Sequence, residues 1–197
     1  MGRTQAFESA AAVRAARDAF WERGYEGTSI VDLERATGLN RSSLYHAFGN
    51  KRGLFDAAVG DYLEAVVRPR LRALVNGTSP LESLHAYFDG LAIAIDTLPG
   101  SSPPYGCLLI NCAAGLAGHD DAARRVVDGY RAELEAALRH GLAAATTDRI
   151  VTRTELDARV RVLASLSMSA MLLARVSPGE ALALLTTARE HITSWCG

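Results

Sequence analysis

Residues Thr28 to Phe55, TSIVDLERATGLNRSSLYHAFGNKRGLF, carry so much helix punctuation that the backbone has few ways to fold. Ser29 is placed to cap a first helix, with Asp32 three residues later near its positive end and Ile30 and Leu33 on its apolar face. Ala36-Thr37-Gly38 ends that helix, because glycine accepts the left-handed conformation that stops one. Leu39 follows as a buried plug, and Asn40 caps a second helix that turns Leu44 and Phe48 inward. Arg41, Ser42, Ser43, Tyr45 and His46 stay on its outer side, and each of them can donate a hydrogen bond. Asn50 then caps a third, longer helix. Two short helices joined by a glycine turn make a shape that fits the major groove of double-stranded DNA.

Charge in this stretch is local. Lys51 is the only lysine among 21 basic residues, and from Thr37 to Leu54 the sequence holds Arg41, Lys51 and Arg52 but no acid. A cation in the first turn of a helix opposes the helix dipole, so Lys51 is a poor choice for stability and a good one for meeting a phosphate. Over the whole chain the formal net charge is only -1, which excludes wholesale coating of nucleic acid while leaving room for one basic face.

Residues 7 to 55 resemble the N-terminal helix-turn-helix domain of the TetR family of bacterial transcription regulators. Phe20, Gly24-Tyr25, Thr28, Asp32-Leu33, Gly38, Leu44-Tyr45, Phe48, Lys51 and Leu54-Phe55 stand where that family's pattern puts equivalent residues. Glu34 departs from it, occupying a place where alanine is usual. Two outcomes are expected there: the two helices approach less closely, or the carboxylate turns to solvent. The resemblance implies a DNA-binding domain over residues 1–50 and a helical effector-binding and dimerisation domain over 51–197, with the helix of residues 51–75 as connector. It also implies phosphate contacts by Thr28, Tyr45, His46 and Lys51. The residues themselves offer Arg41, Ser42, Ser43 and Tyr45 for base edges or nearby phosphates, with Asn40 completing the set. The partners expected are a double-stranded operator, a second copy of the chain and a small-molecule effector; the function expected is ligand-responsive regulation, most often repression.

Beyond the motif, alternating β-branched runs are scarce while alanine, leucine and helix stops recur, so the fold expected is all-α with about nine helices. The first spans about Phe7 to Arg23, with Val13, Ala16 and Phe20 inward and Arg14 and Arg17 outward. The connector helix should bend or break near Val66 because of Pro69. Later helices are expected from Pro80 to Thr97, from about Gly106 to Ala117, from Asp120 to Ala145, from Thr154 to Arg175 and from Ser177 to Trp195, with a loop at Leu98–Pro104. No run approaches the length needed to span a bilayer and no leader is evident, so a cytoplasmic location is expected. Three cysteines in 197 residues fit a reducing compartment and not a disulfide framework.

Three groups remain. Leu163, Leu166, Ser167, Ala170, Met171 and Ala174 give one late helix a broad small-and-apolar surface. The resemblance implies that the last two helices pair with their symmetry mates, and this surface is the expected interface. Leu84, Tyr87, Phe88, Leu91, Tyr105, Cys107, Ile110 and Asn111 are candidates to line an effector cavity, with plain core as the alternative. Gly106-Cys107-Leu108-Leu109-x-Asn111 resembles a short pattern in a TetR subgroup that includes sensors of electrophiles and unsaturated small acids. That implies a reactive role for Cys107, against the alternative of a buried structural thiol. Cys107 and Cys112 lie about 140° apart around a helix, which disfavours a mutual disulfide. Glu82 and His85 have the spacing of a di-iron half-site without a second copy, and His119 with Asp120 and Asp121 reads as a helix start. No metal, no cofactor and no catalytic residue is expected. The rival from another class is a small helical enzyme or cofactor carrier that keeps a vestigial motif.

Overall fold

The computed structural model describes residues 2–96, 106–147 and 150–197. Among these residues the chain forms nine helices and no strand. α1 is Gly2–Gly27, broken at Gly24 (φ +75°, ψ 171°); α2 is Ile30–Thr37 and α3 is Arg41–Phe48. α4 is one rod in three consecutive parts: Lys51–Tyr62, a π turn at Leu63–Val67, and Arg68–Asn76. α5 is Pro80–Asp96, and α6 is Leu108–Gly115, extended by a 3₁₀ turn at Leu116–Gly118. α7 is Asp121–Ala145, α8 is Arg153–Leu173 and α9 is Pro178–Cys196. The loop expected at residues 98–104 lies outside the described residues, as does Tyr105.

The core is one continuous cluster running from Ala16 in α1 to Ile192 in α9. In α1, Ala12, Ala16 and Phe20 are buried against α4, while Val13 is only half-buried. Phe20 meets Phe55 edge-on, with ring centroids 5.1 Å apart, and Tyr25 meets Phe55 at 4.9 Å. Fully burying one such side chain contributes roughly 1.5–3 kcal/mol, so this cluster fixes the angle between α1 and α4. Arg17 does not face solvent as expected: it turns onto α4 and pairs with Asp61 at 2.8 Å.

Pro69 neither breaks α4 nor bends it beyond recognition. The ring of a proline would collide with the carbonyl four residues back, and its nitrogen has no hydrogen to donate. The backbone absorbs this by widening one turn ahead of it, so that the Arg68 N–H reaches the carbonyl of Leu63, five residues earlier.

α6 begins at Leu108, so that Cys107 is its N-cap residue and not part of its first turn. Leu108, Leu109, Ile110 and Cys112 are all buried, as the apolar run requires, with α1 and α7 packed on it. Just before it, Gly106 has φ +64°, and a Cβ there would lie 2.3 Å from the Met171 carbonyl oxygen. The Gly106 carbonyl in turn accepts a hydrogen bond from the Trp21 indole at 3.1 Å. A side chain at residue 106 would therefore separate α8 from this strap and pull on α1 at the same time. Gly106→Ala is expected to destabilise the fold by about 2 kcal/mol or more, from strain at positive φ combined with overpacking, and chemical denaturation followed by circular dichroism checks it.

Candidate nucleic-acid interface and core cavity

The turn between α2 and α3 is built by side chains closing the helix ends. The Ser29 hydroxyl accepts from the Asp32 N–H at 3.1 Å, and the Asp32 carboxylate accepts from the Ser29 N–H at 2.9 Å. The Ser29 hydroxyl also donates to the Asp32 carboxylate at 2.6 Å, and this bond, with the Ser29 N–H and Arg23 beside it, holds the Asp32 carboxyl below the usual carboxylate range. Gly38 adopts φ +71° and its N–H closes on the Glu34 carbonyl, which turns the chain sharply enough for Leu39 to pack against the core. Asn40 then accepts from the Ser43 N–H at 2.9 Å to start α3.

Glu34 follows neither expected course. Its carboxylate folds across the turn and accepts from the Arg41 N–H at 2.6 Å, supplying a second cap to α3. An acid on the reading side of the motif is thereby spent on a free helix N–H, which limits its repulsion of DNA phosphates.

On α3, Arg41, Ser42, Ser43 and His46 are exposed and Tyr45 is half-buried, with Leu44 holding the helix down from beneath. The Arg41 guanidinium lies over the Tyr45 ring, 5.2 Å from its centroid. Asn40 is exposed, with its carbonyl oxygen already used by the cap. Lys51 stands in the first turn of α4 with its ammonium 4.3 Å from the centroid of the Tyr25 ring. The ring supplies the partner that the helix dipole denies. Among the described residues neither Arg41 nor Lys51 has an ion pair, so both can take a phosphate or a base edge without first losing an acid.

Thr28 is corrected. Its side chain is fully buried and its hydroxyl donates to the Gly24 carbonyl at 2.7 Å, so it closes the broken end of α1 and is not presented at the surface.

A residue the sequence did not single out lies next to Lys51. Arg52 reaches across to α7 and grips the Asp120 carboxylate with both terminal nitrogens, while its Nε donates to Asp56 at 2.7 Å. Asp120 also accepts from the Ala123 N–H at 2.8 Å as the N-cap of α7. The Arg52 hydrogen bonds and the backbone donors hold its carboxyl down to about 2, so this latch stays charged throughout the neutral range. The i to i+4 spacing of Arg52 and Asp56 was readable, whereas Asp120, 68 residues away, gives no local signal.

Further along, a small cavity of about 20 Å³ is lined by Tyr62, Arg70, Tyr87, Cys107, Tyr130 and Met171, with Val67, Leu71 and Leu91 between them. Tyr87, Leu91 and Cys107 were expected there. Leu84, Phe88 and Ile110 are packed core, and Asn111 is half-buried outside the lining. Tyr62, Arg70 and Tyr130 were missed, because nothing in their spacing brings their two helices, α4 and α7, together with α5. Burial pushes the Tyr87 phenol up to about 12, and raises Tyr62 and Tyr130 as well, so all three remain neutral hydrogen-bond donors. Tyr87 meets the Ser167 hydroxyl at 3.1 Å, and Tyr62 and Tyr130 share the cavity wall with the Cys107 thiol. Cys107 and Cys112 are both buried free thiols, with burial raising that of Cys112.

The expected dimer surface is also corrected. Leu163, Ser167, Ala170, Met171 and Ala174 are buried against the chain's own helices, and only Leu166 reaches the half-buried flank. The outer side of α8 carries Val162, Ser165, Ser169 and Leu172 instead, with Leu166 and Leu173 at its edge. His85 turns its Nε2 to Thr193 of α9 at 3.4 Å, away from any shared site with Glu82.

Residues 12–58 match the model of the bacterial regulatory proteins, tetR family. The uncharacterized HTH-type transcriptional regulator YezE of Bacillus subtilis (strain 168) is 34% identical over 182 residues, covering 90% of this chain and 91% of its own. The HTH-type transcriptional repressor ComR of Escherichia coli (strain K12) is 36% identical over 110 residues, covering 56% of this chain and 51% of its own. Among solved structures, a cysteine mutant of the TetR family transcriptional regulator CifR, complexed with 26-bp double-strand operator DNA, superposes with a TM-score of 0.76 at 26% identity, covering 91% of this chain and 94% of that one.

Different work is expected of the two cations that have no ion pair among the described residues. Lys51→Ala is expected to weaken binding to all duplexes alike and to lower the salt slope by about 0.9, the value of one phosphate contact. Arg41→Ala is expected to relax discrimination at one base pair by ~1–3 kcal/mol. Fluorescence anisotropy on bound and scrambled duplexes at several salt concentrations separates these effects, and equal losses on both duplexes for both variants would refute the division.

Proposed function

We propose that this chain, which belongs to the TetR family of bacterial regulatory proteins, is a repressor that binds a palindromic operator as a homodimer and leaves it when a small effector enters the helical body. The observation that carries this reading is α3: a short, doubly capped helix whose outer side offers Arg41, Ser42, Ser43 and His46, with its one neighbouring acid turned onto a backbone N–H. Such a surface can read base edges by donation and has no carboxylate facing the groove. One helix of this length reaches only a few base pairs. A two-fold dimer places two copies about one turn of DNA apart, which is what a palindrome requires.

The outer side of α8 supports the dimer. Val162, Leu166 and Leu172 with the small Ser165 and Ser169 leave a strip on which a second α8 could settle beside α9. Release is a matter of linkage. The effector must favour the arrangement in which the two α3 helices are wrongly spaced, and a tenfold loss of operator affinity needs only ~1.4 kcal/mol of coupling. Selection of bound sequences from a random duplex pool tests the reading. A palindromic consensus is expected, bound far more tightly than scrambled DNA; weak, sequence-blind and strongly salt-dependent binding would sink it.

A second reading, response by covalent modification of Cys107, is supported by one placement. The thiol sits at the N-cap of α6 against two phenols, one residue from the Gly106 carbonyl that Trp21 of α1 holds. An adduct on it would press on Tyr62 and on that strap together. Under mild electrophile treatment this reading expects mass spectrometry to find Cys107 modified before Cys196, with loss of operator binding; an unreacted Cys107 excludes it.

A further inference from the structure

Eight cationic side chains in the described residues are half-buried: Arg17, Lys51, Arg52, Arg68, Arg70, Arg139, Arg159 and Arg175. Five pair with carboxylates of the same chain: Arg17 with Asp61, Arg52 with Asp120, Arg68 with Glu133, Arg139 with Asp157 and Arg159 with Glu155. Arg175 donates to the Glu22 carbonyl at 2.6 Å. Only Lys51 and Arg70 have neither an acid nor a carbonyl. Lys51 lies over a ring at the DNA end of α4. Arg70, near the other end, lines the cavity with the phenols of Tyr62, Tyr87 and Tyr130 and the Cys107 thiol, and among the described residues no carboxylate pairs with it. A half-buried guanidinium without a carboxylate leaves its fork open to one, and an anion brought from outside would complete the pair.

The surroundings show how an anion could arrive. Arg70 and Tyr87 line the inner cavity and also an open groove of about 310 Å³ between α4 and α5, floored by Ala73, Leu74 and Ala86 and lined as well by Ser79, Glu82 and Ser83; among the described residues no ion pair joins Glu82 to Arg70. They are the partition between the two. The inner cavity at about 20 Å³ holds little more than a water, so anything larger must displace Tyr87 from Ser167 and push inward among Val67, Leu71, Leu91 and Met171. This lining is apolar apart from the phenols, the thiol and Arg70.

We propose that Arg70 is the anchor of a reversible binding site for a monocarboxylate with an apolar tail, which enters by the α4–α5 groove, sets its carboxylate on the guanidinium and passes its tail beside Tyr87 into the cavity. This rests on the reading of the chain as an effector-responsive regulator and names the effector's chemistry. The site reads charge and an apolar body; it requires neither unsaturation in the ligand nor reaction at Cys107. Arg70 follows the π turn of α4 and Tyr62 precedes it, so one ligand touches both sides of the wide turn that separates the cavity from the DNA end of the rod.

Saturated or aromatic acids and their uncharged amides make the test: hexanoate against hexanamide and benzoate against benzamide, titrated calorimetrically into the DNA-free protein, with intact mass recorded afterwards. At least one acid is expected to bind saturably and at least tenfold more tightly than its amide, without an adduct. Arg70→Gln is expected to bring that ratio close to one and Arg70→Lys to keep part of it. Neither change removes a hydrogen bond or an ion pair, so both chains should fold with an unchanged circular dichroism spectrum. Acid and amide binding alike, no saturable binding of either acid, or an undiminished ratio in Arg70→Gln would overturn the site. Adding the bound acid to the operator complex separates the two layers. An Arg70-dependent preference without operator release overturns its role as effector and the ligand-release reading, while operator binding that survives the loss of the site leaves the DNA-binding reading standing.

Discussion

α4 is the member on which the other arrangements depend. Its first turn holds Lys51 against Tyr25, and its second residue is latched to the cap of α7 through Asp120. Phe55, Ala58 and Tyr62 seat α1, and the far end carries Arg70 into the cavity. A rod held at so many points cannot shift at one end without consequence at the other, because packed interiors move between discrete arrangements and do not deform smoothly. The one place where its hydrogen-bond ladder is already loosened is the π turn at Leu63–Val67, which Pro69 imposes. A change in the body would then be felt by the reading helix through the rod and through the Arg52–Asp120 latch, two connections that meet within the first turn of α4.

The Trp21 strap adds a third connection. Trp21 meets the Tyr62 ring edge-on at 4.8 Å and also donates to the Gly106 carbonyl, so one side chain of α1 touches both the rod and the start of α6. Gly106 fits there because the neighbouring Met171 carbonyl leaves no room for a Cβ. The small residue and the large one are thus two halves of one joint, and the thiol of Cys107 is its immediate neighbour.

How much of this could be read from the chain follows from the range of each interaction. The turn between α2 and α3 was legible because Ser29, Asp32, Gly38 and Asn40 act on backbone within a few residues, and the helix cap at Asn50 and the helix start at Asp120 were legible for the same reason. Thr28 misled because a threonine hydroxyl between two helices can serve a phosphate or its own backbone, and only the break at Gly24 decides for the Gly24 carbonyl. On α8 the small-and-apolar pattern was real, but it describes the side that α7 and α9 cover within one chain; the outer strip, on which the proposed dimer would rest, is less apolar and draws less notice. Of the cavity, the expected Tyr87, Leu91 and Cys107 share a short span, whereas Tyr62, Arg70 and Tyr130 come from two other helices and are joined only by packing.

Charge bookkeeping supplies the part that periodicity could not. With 21 basic and 22 acidic residues, the chain has enough carboxylates to neutralise every cation it brings in from solvent, and it does so for most of those that are half-buried. Leaving a half-buried cation without an acid costs free energy that a glutamate one turn away would have recovered. Lys51 and Arg70 are left that way on the same helix, one next to the DNA-reading surface and one at the wall of the cavity. An unbalanced charge tolerated at each end of a single rod is best understood as two places where a phosphate or a carboxylate from outside completes the pair, and the rod is then the shortest physical link between them.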